Sequence, residues 1–421
     1  MLMKKDVIIY FLGKSIPAIV SLVMIVLVVR FLGEDQYGKY SLIVYVAILV
    51  TQLCFTWIQQ SMIRFLSLYK EKPGEILSRL FFLTVLSTLP AILIMFLVCF
   101  LYFSLNLYEL LIVVFYTAMY ILFIFRLTLY QAYMKPVKYA SYESIYSIFL
   151  LLFLFGFIYF IAYKNFIIVF ISMGAGFLLT EIVHGLFLTE PIYKIDIGRI
   201  HWDKTFTKKV MDYGLPLTIW IFISTFTMMA DRYIIKEFDG YAAAGTYAAI
   251  KDLVTKISTF AILPISIAYS AKINDAWNSR NSLKARSLIR EALVIELVVG
   301  LLVSIGFLVF CQVFYLRILH LRGEGLFFTS AFLIASVFLW QAAMFFQKPL
   351  ELLYKQRTMV LLILLSLGVN VVLNLVFIPK FGFPAAAINA LVSVALYSLL
   401  SFFLSRTLMR RHLLQAVETL N

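Results

Sequence analysis

The sequence predicts an all-α membrane protein with about twelve transmembrane helices in two six-helix bundles and both termini in the cytoplasm. Three observations carry that expectation. Hydrophobic residues make up 63% of the 421-residue chain, charged residues only 14%, and the mean hydropathy is +0.97, against roughly 45–50% apolar usage in soluble domains. No water-soluble fold could hide so much apolar surface. Apolar runs of about twenty residues, enough to cross a hydrocarbon core about 30 Å thick, recur along the whole chain. Basic residues gather in alternate connections between those runs.

The first run follows Lys4 and Lys5 and extends to Gly33. It is too long for a signal-peptide core and ends in no small-residue cleavage site, so it reads as an uncleaved first helix. Charged residues and Gly/Pro punctuation divide the first half into helices near 7–32, 38–66, 80–104, 108–132, 141–162 and 165–188. The polar stretch 189–212 interrupts the series. Helices near 214–237, 241–270, 290–316, 325–347, 358–379 and 383–405 follow. Expected domains are therefore 1–188, a cytoplasmic linker 189–213, 214–405 and a cytoplasmic tail 406–421. Cys54, Cys99 and Cys311 lie inside apolar runs, in neither disulfide nor zinc spacing, and read as small core residues.

Cytoplasmic loops carry the excess of Lys and Arg. With both ends inside, 23 of the 36 basic residues fall on the cytoplasmic side, 6 on the other and 7 within helices. The same distribution accounts for the net charge of +14. Spread over seven cytoplasmic segments, the charge is a topology signal that also meets anionic lipid, not a face for nucleic acid.

The two halves repeat one order of features about 200 residues apart. Leu12-Gly-Lys-Ser-Ile-Pro17 opens a helix that runs to Arg30-Phe-Leu-Gly33, and Tyr37-Gly-Lys-Tyr40 follows. Tyr213-Gly-Leu-Pro216 opens one that runs to Asp231-Arg232-Tyr233, and Ala244-Gly-Thr-Tyr247 follows. Six helices per half make the repeat parallel, as in transporter folds that open a cavity alternately to each side.

At these positions the sequence resembles the polysaccharide-unit flippases, the Wzx-type branch of the multidrug/oligosaccharidyl-lipid/polysaccharide (MOP) exporter superfamily. The carrying residues are Arg30 through Tyr40, Asp231-Arg232-Tyr233-Ile-Ile235 with Gly245-Thr-Tyr247, Asn370-Val-Val-Leu-Asn374 and Ile378-Pro-Lys-Phe-Gly382. The resemblance spans essentially the whole chain in helix number and loop length, and it rests on loop and packing signatures. It implies a MATE-like fold in the inner membrane, no cofactor, and translocation of an O-antigen or similar undecaprenyl-diphosphate-linked oligosaccharide to the periplasmic leaflet. Further implied partners are membrane lipids, Na+ or H+ as coupling ion, and a polysaccharide polymerase with its chain-length regulator. Physical chemistry asks for the same activity class, since hydroxyls and a diphosphate lose their hydration in hydrocarbon at several kcal/mol per unsatisfied group.

Charges inside spans are expensive and tend to face a bundle interior or an aqueous cavity. Lys14, Arg126, Lys251 and Lys256 are the candidate contacts for the diphosphate. The alternative for each is a snorkelling or ion-paired structural residue. At about 1.5 Å per residue, Lys14 lies roughly 10 Å in from the cytoplasmic end of its helix and Lys251 about 15 Å from the outer end of its own. Asp252 and Lys256 are four apart and expected to meet on one face, which leaves Lys251 the freer ligand. Arg30, Asp231 and Arg232 read as an outer gate or structural ion pair. Asn370 and Asn374 share a face and read as glue for a helix pair.

Enzymatic readings find no support. Gly33-Glu-Asp-Gln-Tyr-Gly38-Lys39 matches a phosphate-loop spacing, but Tyr40 stands where Ser or Thr should hold magnesium, and the segment reads as a turn. No metal-ligand cluster or nucleophile elbow is visible. The competing functions are a multidrug or small-solute antiporter of the same superfamily, which an acid-rich cavity would favour, and an O-antigen polymerase, which would need a long periplasmic loop. A peptidoglycan-precursor flippase would need extra helices.

Overall fold

The computed structural model describes the backbone of residues 2–68, 73–160, 164–187, 203–279, 281–321, 323 and 325–418. Within those stretches the side chains of 2–14, 67, 68, 73, 187, 271 and 412–418 lie outside the description. Every regular element among the described residues is helical: α1 (Leu2–Leu32), α2 (Glu34–Leu68), α3 (Pro73–Leu101), α4 (Leu107–Ala132), α5 (Pro136–Phe160), α6 (Ile167–Phe187), α7 (Lys204–Asn278), α8 (Ser282–Val313), α9 (Leu326–Phe346), the short α10 (Lys348–Leu352), α11 (Gln356–Phe381) and α12 (Phe383–Glu418). A π-helical turn, Phe314–Leu319, extends α8.

Eleven stretches are long and apolar enough to cross a membrane. One of them, the 75-residue α7, is two helices joined at Gly240, whose φ of 83° and ψ of −178° are non-helical. Among the described residues that makes twelve stretches able to cross, the number the apolar runs predict. Most of the expected linker lies outside the described residues. From Lys204 on, the rest of it is already the first turns of α7.

Helices start where the sequence supplies caps. Asn106 accepts from the Glu109 N–H while Glu109 returns a bond to the Asn106 N–H, closing a capping box at α4. Asn281 caps α8 by accepting from the Lys284 N–H. Pro73 and Pro136 open α3 and α5, where the missing N–H has no intrahelical partner to lose.

The chain divides into two compact units, Met1–Thr225 and Phe226–Asn421. In the first, α1 packs on α5, α5 and α4 on α6, and α2 and α4 on α3. The opening segment of α7 belongs here as well. Its Gly214 lies so close to α2 that an added Cβ would stand 2.1 Å from the Trp57 carbonyl oxygen. Ser61 donates to the Val210 carbonyl at 2.9 Å, Gln52 to the Thr225 hydroxyl at 2.9 Å, and the Arg64 guanidinium lies 4.3 Å from the centre of the Tyr213 ring. Small residues at the contact and cross-helix hydrogen bonds are what hold helices together where lipid removes the hydrophobic drive.

In the second unit α12 packs on α9 and α11, and α8 on α9. Asn374 donates to Asn370 at 3.0 Å, Asn389 to Asn374 at 2.9 Å, and Asn370 to Ser393 at 3.1 Å. This ladder ties α11 to α12, the helix-pair role expected for Asn370 and Asn374. Leu89, Leu93, Leu297 and Leu301 stand exposed, the surface a helix shows to hydrocarbon and not to water.

Candidate functional site

The charges singled out near Gly240 come together in the second unit. Asp231 and Lys251 are twenty residues apart, a separation of about 30 Å along a straight helix. Their side chains nevertheless meet at 2.5 Å, because the chain reverses at Gly240. The Asp231 carboxylate accepts from Lys251 Nζ and from the Tyr247 hydroxyl, each at 2.5 Å, and from the Arg232 backbone N–H at 2.9 Å. Tyr247 and Lys251 are one turn apart, so both reach the same oxygen from one helix face. Arg232, on the neighbouring position, forks onto Asp252 at 2.6 and 3.3 Å. Asp231, Arg232 and Lys251 are all buried.

The result is a neutral lattice of two acids and two bases spanning the two helices of α7. It corrects two expectations. Asp252 is taken by Arg232 and not by Lys256, so it is Lys256 that remains exposed and, among the described residues, outside any ion pair. Lys251 is held by Asp231 from across the turn. Spacing within one helix could not reveal a partner that arrives after a chain reversal. Asp231 and Arg232 do join ion pairs, each with a residue on the far side of Gly240 and not with each other.

Beside the lattice, Lys251, Thr227, Ser336, Trp340, Asn370 and Ser393 line a cavity of about 30 Å³. That is room for a water molecule with polar partners on several sides.

A second polar cluster lies in the first unit. Arg126, on α4, bonds Glu181 of α6 at 3.1 Å, and the Tyr142 hydroxyl of α5 donates to the other Glu181 oxygen. Tyr130 bonds the His184 ring, one turn beyond Glu181. Phe123, Tyr146 and Phe177 pack around this cluster, with Tyr146 and Phe177 stacked at 4.2 Å. Arg126 is therefore a paired cation between three helices. Arg30 is exposed at the end of α1, 5.9 Å from the Phe31 ring centre. The Lys14 side chain lies outside the described residues, although its backbone belongs to α1.

Glu181, His184 and Glu296 are further candidate residues that a search for basic groups passed over. Each is an ionisable side chain within an apolar run, the signal that drew attention to Lys251. Glu296 of α8 is buried, and neither carboxylate oxygen has a hydrogen-bond partner among the described residues.

A bundle of long apolar helices carrying buried, charge-balanced clusters defines a polytopic membrane protein. Comparison with solved structures agrees on the fold. An inward-facing multidrug resistance MATE family transporter of the MOP superfamily matches with a TM-score of 0.68 at 14% identity, covering 96% of this chain and 98% of that one. Its outward-facing counterpart matches at 0.66 and 15% identity, over 97% and 96%. A MOP superfamily transporter from Pyrococcus furiosus, described as having a binding pocket of reverse polarity that suggests a different function, matches at 0.67 and 15%, over 96% and 94%. The family model described as polysaccharide biosynthesis protein matches residues 3–271, more than half of the chain, and the chain belongs to that family. No curated protein matches it.

Proposed function

We propose that the protein is a flippase that carries an undecaprenyl-diphosphate-linked oligosaccharide, an O-antigen or similar surface-polysaccharide unit, across the cytoplasmic membrane by alternating access. The observation that carries this reading is the combination of a polysaccharide-biosynthesis family sequence with a transporter fold. A transporter in a polysaccharide pathway has one obvious cargo, the glycan unit assembled on its lipid carrier inside the cell and polymerised outside. In this reading Lys14 and Lys256 offer positive charge to the diphosphate directly. Arg126 and Lys251 do so by exchanging Glu181 and Asp231 for it, while Arg30, Asp231 and Arg232 serve the outer end as a gate or fixed ion pairs. A gradient of Na+ or H+ supplies the energy, and a polymerase with its chain-length regulator consumes the product.

Deletion of the gene should abolish surface polysaccharide while the lipid-linked unit accumulates facing the cytoplasm, and a plasmid copy should restore both. The structural neighbours favour one other reading, a small-solute antiporter. Unchanged surface glycan together with new sensitivity to cationic drugs would put that reading in place of ours.

A further inference from the structure

One end of the second unit contains a chamber that neither the ion-pair lattice nor the flippase reading uses. Its volume is about 770 Å³, and its walls carry Arg286 and Arg290 from α8 and Arg406 and Arg410 from α12. Each pair is spaced by four, so both members stand on one helix face. Among the described residues none of the four arginines forms an ion pair. Two acids of the same unit are taken elsewhere, Glu291, next to Arg290, by Tyr269 at 2.6 Å and Glu351 by Lys348 at 2.8 Å. Ser405, next to Arg406 in the chain, also lines the chamber, buried, with a hydroxyl that has no partner among the described residues. Four cations and an unused hydroxyl around one space call for an anion with several oxygens.

The chamber does not end at the arginines. Arg290, Leu293 and Phe346 also line a second cavity of about 550 Å³ that continues between α8 and α9, past Leu297 and Leu301 to Ser304. From Arg290 to Ser304 the groove runs about 20 Å. Beyond Arg290 its walls are apolar except for Glu296 and Ser304, and Gly300 keeps it narrow, since a Cβ there would stand 2.8 Å from the Phe338 ring. A basic chamber opening into an apolar groove of that length has the shape of an amphiphile.

We propose that this site holds an anionic phospholipid, with its phosphate among Arg286, Arg290, Arg406 and Arg410 and one acyl chain in the α8–α9 groove. Basic pockets between membrane helices on the cytoplasmic side take anionic headgroups in this way, and the charge asymmetry assigns these arginines to that side. At about 20 Å, with the arginine end in the headgroup layer, the groove is of the order of one leaflet, about half of a 30 Å core, whereas an undecaprenyl chain is far longer. Phospholipid is also the abundant anion of the leaflet and fills a site by mass action. The proposal stands whether or not the cargo is a lipid-linked glycan.

The test uses the full-length protein purified in detergent, with phosphatidylglycerol and phosphatidylcholine of identical chains as probes and native mass spectrometry as the readout. Wild type should retain phosphatidylglycerol over phosphatidylcholine. Replacing the four arginines by glutamine should cut that retention about tenfold, as expected from losing charged hydrogen bonds. Ala342→Trp, which fills the groove and leaves every charge in place, should cut it as well. Arg317→Gln with Arg357→Gln, a loss of charge elsewhere in the same unit, should not. Equal retention of the two lipids, or undiminished retention by the glutamine variant, overturns the proposal. Displacement of phosphatidylglycerol by equimolar undecaprenyl diphosphate also overturns it and makes the chamber a loading site for the cargo.

Discussion

Asp231 is 1% exposed and Lys251 7%, and a charge so placed is tolerable only while its partner is present. Removing one member of a buried pair costs about 3–5 kcal/mol, whereas replacing both by neutral groups of similar size is often neutral. Lys251→Ala should therefore lower the melting temperature of the purified protein markedly. Asp231→Asn with Lys251→Met should recover most of the loss. An unchanged melting temperature for Lys251→Ala would show that the pair is not formed in the membrane. The pairing also changes how a transport defect is read. Loss of activity in Lys251→Ala identifies a diphosphate contact only if the double variant, stable again, is inactive too. At this scale the sequence disclosed which residues were unusual but not how they were paired. The two acids that matter most, Asp231 for Lys251 and Glu181 for Arg126, lie 20 and 55 residues away from their bases, and no spacing rule reaches across a turn or between helices.

Turn glycines recur where one helix ends and the next begins. Gly33 joins α1 to α2 with φ of 90°, and Gly240 joins the two parts of α7 with φ of 83°. These are equivalent points in the repeat that the sequence displays, each closing the hairpin that carries the Arg30 or Arg232 position. Gly240, with ψ near 180°, occupies a region of backbone space that is essentially closed to any residue with a Cβ. Nothing lies within 4 Å of the place where a Cβ would be added, so the penalty of Gly240→Ala is purely conformational. It should cost of order 1–3 kcal/mol and loosen Asp231 from Lys251 without any steric clash. Reduced thermal stability, together with faster amide exchange confined to residues near the turn, would be the signature. Parental exchange there would mean the turn has another solution.

Most of the elements were legible because a span announces itself by apolar length alone. Their ends next to the basic loops were not. α3 begins at Pro73, α5 at Pro136 and α8 at Ser282, five to eight residues before the apolar runs near 80, 141 and 290. Hydropathy marks where hydrocarbon begins, but the backbone hydrogen bonds of a helix continue through the headgroup layer, where charged side chains are solvated. The same blindness hid the basic chamber. Arg286, Arg290, Arg406 and Arg410 counted as topology signals in the sequence, and only folding shows that they surround one space.

For the whole molecule, the property that every functional step depends on is which end faces the cytoplasm. The 23 basic residues assigned to one side against 6 on the other favour both termini inside, because Lys and Arg flanking short loops resist translocation. Twelve spanning-length stretches among the described residues agree with that parity, and the turns at Gly33, Gly240 and Gly382 would then all face outward. The expectation is open to a direct measurement. In a parent with Cys54, Cys99 and Cys311 replaced by alanine, single cysteines can be placed at Ser279 and Tyr354, between helices on the basic side, and at Leu107 and Lys164 on the other. Tyr354 is 83% exposed and Leu107 67%, so access in the folded protein does not limit the reaction. A membrane-impermeant maleimide applied to intact cells, with the outer membrane made permeable, should label Leu107→Cys and Lys164→Cys. Ser279→Cys and Tyr354→Cys should react only after the inner membrane is opened. The reverse pattern would place the four-arginine chamber and Lys256 on the far side from the site of glycan assembly. Flipping could then no longer begin at those residues, and the flippase reading would have to be rebuilt around the charges of the opposite face.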